Sequence, residues 1–390
     1  MGGQAGSLGS RLGDMTSRRR SVAVALLAAL AAPASGVAAQ NLDEGAVTEA
    51  VPARPLDDAS LRAVYLDLVG RPPVSGERVE WLGRGRHELL DALIGGEEYW
   101  RHWYDEQLYY FFLIDNFRPE SPRAAAIPGD LTGGRLNVRE AIHRIALSPS
   151  FELRNPGADT FVTVVLEQLD GIEVQAQPRV LEIGKVLYDG GSGTFLGQTG
   201  SSQSDVVRIA MEDRRFARTL LARESRRFLR AEPEVRELAT WARAFDQNPT
   251  VYSGLVRAWM LSPAYDTRLA RRVAMPNRLF VPALFVDLLG RRPDPDEERR
   301  MRTALDGLAD PGPLRAVLAR LLIDSGQVPL PEKDEIRDPT RWVAELFKRL
   351  LGREASEAEL RTFVTAFHDP DCRPSTVLYA IVSHPDYPSY

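Results

Sequence analysis

His102, Asp105 and Glu106 stand at i, i+3 and i+4 in a stretch that reads as helix, so one helical face could present all three. An imidazole beside two carboxylates is a starting point for a metal site or for general acid–base chemistry. A metal takes three or four ligands, however, and no further ligand stands at a recognisable spacing. The plainer reading pairs the three with neighbouring arginines. A second polar cluster, His368, Asp369, Asp371 and Cys372, falls in a loop. A nucleophilic thiolate there would need a lowered pKa, and carboxylate neighbours push a thiol the other way. With one cysteine in the chain, no intramolecular disulfide, paired-cysteine zinc site or CxxCH haem attachment is possible. Nucleophile-elbow, HExxH, phosphate-loop and calcium-loop spacings are all missing from the sequence. The glycine-rich run Gly190 to Ser202 reads as a flexible loop, because no Gly-Lys-Ser/Thr ends it and no strand precedes it. No catalytic residue and no cofactor is therefore assigned.

The densest aromatic stretch runs from Tyr99 to Phe117 and holds nine aromatic residues. Trp100, Trp103 and Tyr104 could form a recognition surface for an envelope glycan or a partner protein. The competing reading is a long helix buried on several faces, with Leu108, Phe111, Phe112 and Leu113 in the core.

What positions these residues is a repeat. Leu61 to Arg71, Val281 to Arg291 and Val343 to Arg353 align without gaps. Each carries apolar residues at i, i+3, i+4 and i+7 and an aromatic at one fixed place: Tyr65, Phe285 or Phe347. That spacing predicts a helix with one apolar face, ended by Gly70, Gly290 or Gly352. Seven residues after each glycine comes Glu77, Glu297 or Glu359, inside a second helix. Ser356 and Asp294 are good capping-box starts for it, and Val74 a poorer one. A closing signature follows, an apolar helix end, a break and an aromatic, at Tyr99, Phe151, Tyr265 and Tyr387. Gly290 and Gly352 are 62 residues apart, a period that suggests an array of helical units. Phe161 to Gly171 reads as a worn opening helix. Asp67 and Asp287 share a repeat position that Arg349 occupies in the third copy, which points to a solvent-facing or pairing role. The expected fold is all-α, with degenerate helix-turn-helix repeats packed as a bundle or array.

Leu61 to Pro73, with Tyr65-Leu66-Asp67-Leu68, Gly70 and Pro72-Pro73, resembles the opening of a domain of unknown function found in exported planctomycete proteins, often beside a cytochrome c domain. The resemblance continues through Glu88 to Leu93 and Trp100 to Asp105 and covers roughly residues 58–118. It departs after Asp105, where an Arg-Tyr pair is expected and Gln107-Leu108-Tyr109-Tyr110 stands instead. The last two units resemble short phycobilisome-linker-like helical repeats. The resemblance implies a helical, exported protein and carries no catalytic residue or haem chemistry across.

The compartment is read from the N-terminus. Arg18-Arg19-Arg20 precede an uncharged apolar run, Ser21 to Ala32, and then Val37-Ala38-Ala39. That is the order of a secretory signal, with cleavage expected near Ala39-Gln40. The apolar run falls short of the ~20 residues a membrane span needs. The net charge of −5 argues against a nucleic-acid partner, although nearly all the basic residues are arginines. With 44% hydrophobic residues, the chain can bury a large core or several smaller ones. The expected organisation is a signal peptide at 1–39, a linker at 40–55, an N-terminal helical unit with the aromatic-rich insert at 56–153, degenerate middle units at 154–275 and two tandem repeats at 276–390. The expected function is that of a non-catalytic structural or partner-binding module of the cell envelope, without a transmembrane segment in the mature chain. The alternatives are a hydrolase or metal-dependent enzyme near His102, Asp105 and Glu106, and a carbohydrate-binding module.

Overall fold

The computed structural model describes residues 55–112 and 121–390. The stretch read as a signal sequence, most of the expected linker, Leu113 and Phe117 lie outside the described residues. Within them the fold is all-α apart from one two-stranded hairpin, and no helix is long and apolar enough to cross a membrane.

The opening helices form where the apolar period places them: Asp58–Val69, Asn277–Leu289 and Pro339–Leu346, the last continued by a π turn over Phe347–Leu351. Gly70, Gly290 and Gly352 end them with φ of 70°, 66° and 62°, the left-handed conformation that relieves the last carbonyls. The worn copy is real as well, a helix Gly157–Asp170 ended by Gly171 at φ 64°. A further copy was not legible. Helix Arg214–Leu229 ends on Arg230, which takes φ 52° without being glycine, and Glu237 follows it by seven residues.

The Gly-Arg to Glu spacing makes one clamp three times. Arg71, Arg291 and Arg353 donate to Glu77, Glu297 and Glu359 at 2.6, 2.8 and 2.9 Å through Nη1. The same Nη1 donates to the carbonyl of the next residue, at 3.0 Å in every copy. Each guanidinium lies over the repeat aromatic, 5.5 Å from the Tyr65 ring centre, 5.2 Å from Phe285 and 5.3 Å from Phe347. Each glutamate also accepts from the backbone N–H that opens the second helix: Val74, Asp294 or Ser356. Glycine, arginine, aromatic and glutamate thus form one device that sets the angle between the two helices.

Three of the closing aromatics lie in new helices instead of ending units, and only Tyr387 follows the end of its helix in a turn. Ser148 and Ser262 cap helices Pro149–Arg154 and Pro263–Leu269 by accepting from the N–H of Phe151 and Tyr265. Tyr99 lies in helix Glu97–Phe112. The glycine-rich run also departs from expectation. Gly193–Phe195 pairs with Gln198–Gly200 as an antiparallel hairpin, turned by Leu196 and Gly197 at φ 47° and 86°. Phe195 is fully buried and anchors it.

Two cores result, one from Leu56 to Tyr265 and one from Met275 to Tyr390. The first opening helix sits between them. Leu61, Val64, Tyr65 and Leu68 enter the first core, while Ala63 and Leu66 enter the second. The chain end returns to this junction, with Val273 and Tyr390 exchanging backbone hydrogen bonds of 2.8 and 3.0 Å.

Gly352 and Gly290 predict different responses to alanine. A Cβ on Gly352 would lie 3.1 Å from the backbone of Ala59, whereas one on Gly290 would meet open space. Gly290→Ala should cost only the left-handed strain, roughly 1 kcal/mol, and Gly352→Ala should cost more. Urea denaturation of the two variants checks this, and equal losses would contradict the close approach of Gly352 to the first helix.

Candidate functional site

Of the three residues with the most chemical promise, His102 and Glu106 lie close enough for their charges to act on each other, and each is held by other partners. Glu106 is engaged by Arg278 at 2.6 and 3.1 Å. Burial raises its pKa, but the Arg278 and Arg227 charges outweigh that and hold the carboxyl down to about 2. His102 packs against Gly70, where a Cβ would come within 2.5 Å of its ring. Burial, with Arg227, Arg292 and Arg278 nearby, pushes the imidazole down to about 3, so it is neutral at physiological pH. Among the described residues, no three His, Cys, Asp or Glu side chains gather closely enough to hold a metal. Around Cys372 the polar atoms satisfy a turn: Asp371 N–H donates to Asp369 Oδ1 at 2.9 Å and Lys333 Nζ to the Asp369 carbonyl at 2.5 Å.

Trp100, Trp103 and Tyr104 do not form a surface platform. They are 7%, 1% and 5% exposed. Trp103 Nε1 donates to the Tyr252 hydroxyl at 3.1 Å, and that hydroxyl donates to Glu224 at 2.7 Å. Gln107 donates to the other Glu224 oxygen at 2.9 Å. Burial opposes ionisation of Glu224, but the Arg223 and Arg227 charges with these hydrogen bonds keep its pKa below the usual carboxylate value. The aromatic helix is therefore locked to the Arg230 unit through a buried, satisfied carboxylate.

Asp67 and Asp287 are pairing residues, but they are interior and not solvent-facing. Asp67 accepts from Tyr265 at 2.7 Å, Arg268 at 3.0 Å and Tyr390 at 3.1 Å. Asp287 accepts from Tyr387 at 2.9 Å and from both Nη atoms of Arg62 at 3.0 and 2.8 Å. The opening-helix aspartate of one unit thus takes the closing tyrosine of another. The Gly70 unit answers the Arg230 unit, and the Gly290 unit answers the Gly352 unit. In the first pair Arg227 stands at the aspartate position of the Arg230 unit, and the buried Tyr99 hydroxyl makes no hydrogen bond with it. The missed signal was the Arg230-to-Glu237 spacing, hidden because arginine replaces the helix-ending glycine.

With these charged groups engaged in holding units together, a cleft of about 820 Å³ along helix Val138–Ala146 is one site open to a ligand among the described residues. Ala124, Leu136, Leu147 and Met211 supply its apolar lining. Its four arginines, Arg123, Arg139, Arg144 and Arg208, outnumber its two acids, Glu140 and Glu212. Arg144 is tied to Asp130 at 2.6 Å and Arg139 to Asp246 at 2.6 Å, which fixes where their guanidiniums sit. His143 also lines it, its pKa lowered by burial. Apolar walls among fixed guanidiniums suit an amphipathic, acidic chain segment. Compared with known proteins, the chain matches no family profile, no curated protein and no solved structure.

Proposed function

We propose that the mature chain is an exported, non-catalytic helical module that binds a partner protein of the cell envelope through the Val138–Ala146 cleft. The observation that carries this reading is the cleft itself, a concave surface of apolar side chains and oriented arginines. The buried ionisable groups elsewhere support it, because Asp67, Asp287 and Glu224 are each occupied by partners from distant units. The order of residues from Arg18 to Ala39, read as an export signal, supports a partner outside the cytoplasm. An acidic amphipathic segment would lay its apolar side on Leu136 and Leu147 and its carboxylates against the arginines.

A photo-crosslinking amino acid placed at Ala124 or Leu136 tests this in the native cell. The expected result is one discrete crosslinked envelope protein, absent when the same probe replaces exposed Leu321 and lost on Arg144→Glu. Crosslinking that ignores probe position, or stoichiometric metal in the well-folded purified protein, would overturn the reading.

A further inference from the structure

Counting from the apolar pair that closes each third helix exposes an exception. Six residues after Leu93, Trp259 and Ile381 stand Tyr99, Tyr265 and Tyr387, all buried. Six after Leu322 stands Val328. The Gly290 unit therefore lacks the large ring that the other units insert into their neighbours. A cavity of about 100 Å³ lies there, lined by Val328, Pro329, Leu330, Arg349, Arg62 and Asp287 among others.

The cavity lining carries unanswered donors. Arg349 occupies the repeat position held by Asp67 and Asp287, and it makes no hydrogen bond or ion pair with any described residue. Its Nε is shielded from solvent without a partner, and so is Nε of Arg62, which is 4% exposed. The acids at the same cavity are already taken. Asp287 is held by Arg62 and Tyr387, and Asp58 by Arg78 at 2.5 and 3.1 Å. Arg349 is left over, so its own Nε–H and that of Arg62 face apolar walls from Val286, Leu288 and Leu378 without an acceptor. Buried donors without acceptors are costly, and an anionic acceptor meets that need best.

We propose that this cavity binds a short-chain monocarboxylate, its carboxylate on Arg349 and Arg62 and its alkyl end against the apolar wall. The volume equals that of about three waters, which admits about four to six non-hydrogen atoms and no peptide chain. The inference is independent of the partner cleft, which lies on other helices.

Calorimetric titration of the purified protein with propionate tests it, with propionamide and with chloride at equal ionic strength as comparisons. Saturable propionate binding without a propionamide signal is expected. Arg349→Met should weaken it at least tenfold, the loss expected for a charge-assisted contact. Val328→Phe should fill the cavity and abolish binding while circular dichroism shows the native helical fold, so a misfolded Arg349 variant would leave the test intact. Undiminished propionate binding in Val328→Phe, equal heats from chloride, or no saturable propionate binding at millimolar concentration would each overturn the assignment.

Discussion

Arg268→Met should remove about 3–5 kcal/mol of stability, among the largest losses a single side-chain truncation could cause in this chain. The magnitude follows from what is left behind. Asp67 is 6% exposed and Arg268 3%, so neither charge has water to fall back on. Burial already holds the Asp67 pKa above the ordinary carboxylate range, in spite of Arg268 and the Tyr265 and Tyr390 hydroxyls. Without the guanidinium, two hydroxyls remain to stabilise a buried anion, and the carboxyl must ionise at greater cost or take up a proton. Asp67→Asn combined with Arg268→Met removes both charges and should recover a substantial part of the loss. Urea denaturation of the wild type, both single variants and the double variant closes the cycle. Additive effects would show that the pair is not coupled and that the junction rests on apolar packing alone.

The same junction explains what could be read from the residues alone. Tyr65, Phe285 and Phe347 with their glycines are local signals. They concern one helix and its end, and the structure keeps them all. The pairing of Asp67 with Tyr265 joins residues 198 apart, and that of Asp287 with Tyr387 joins residues 100 apart. No helical period carries such information. Asp67 read as solvent-facing or pairing because Arg349 holds its position in the third copy, and that exchange of charge does not separate a wet face from an interior pair. Here the face opposite the apolar stripe meets a second core through Ala63 and Leu66, so a polar residue on it must find partners inside. Arg230 concealed its unit because the left-handed position usually reads as glycine, and arginine adopts it at a cost of roughly 1–2 kcal/mol. The hairpin at Gly193 to Gly200 was hidden by composition. Within the two strands only Phe195 is large and apolar, and it sits in a run that otherwise spells loop.

These exchanges also bear on the two sites proposed above. A fold that ties units together by placing the closing tyrosine of one against an acid of another leaves a defect wherever one member is replaced. The Gly290 unit carries valine for tyrosine and faces arginine instead of aspartate, and both changes fall on the same cavity. The Gly171 unit lacks the clamp, since Ile172 and Pro178 stand where arginine and glutamate would be. Its hairpin-bearing segment leads into helix Gln203–Glu212, whose Arg208, Met211 and Glu212 line the partner cleft. Both candidate sites therefore involve units in which the repeat has been broken.

Asp170→Asn should stabilise the protein at neutral pH and flatten its pH dependence. Asp170 is 3% exposed, and neither carboxyl oxygen has a hydrogen-bond partner. Burial, with the Asp213 charge adding to it and Arg215 opposing, pushes the carboxyl up to about 8. An unfolded chain releases that proton near pH 3.9. Between those values the native state holds a proton that the unfolded state has lost, so stability falls as pH rises, by up to about 1.4 kcal/mol per pH unit from this group. His102 works in the opposite direction at lower pH. Its folded pKa of about 3 lies below the unfolded value near 6.5, so its contribution is present above that range and is lost as pH falls through it. The two effects separate above pH 7, where His102 is neutral in both states and Asp170 still titrates. Asparagine cannot ionise, and although its amide is also buried it avoids the charge, so a gain of about 1–3 kcal/mol at pH 7.5 is expected. Urea melts of both proteins at pH 5.5, 7 and 8 give the comparison. The two stabilities should diverge steadily with pH, and parallel curves would mean that Asp170 is solvated or paired in the native protein.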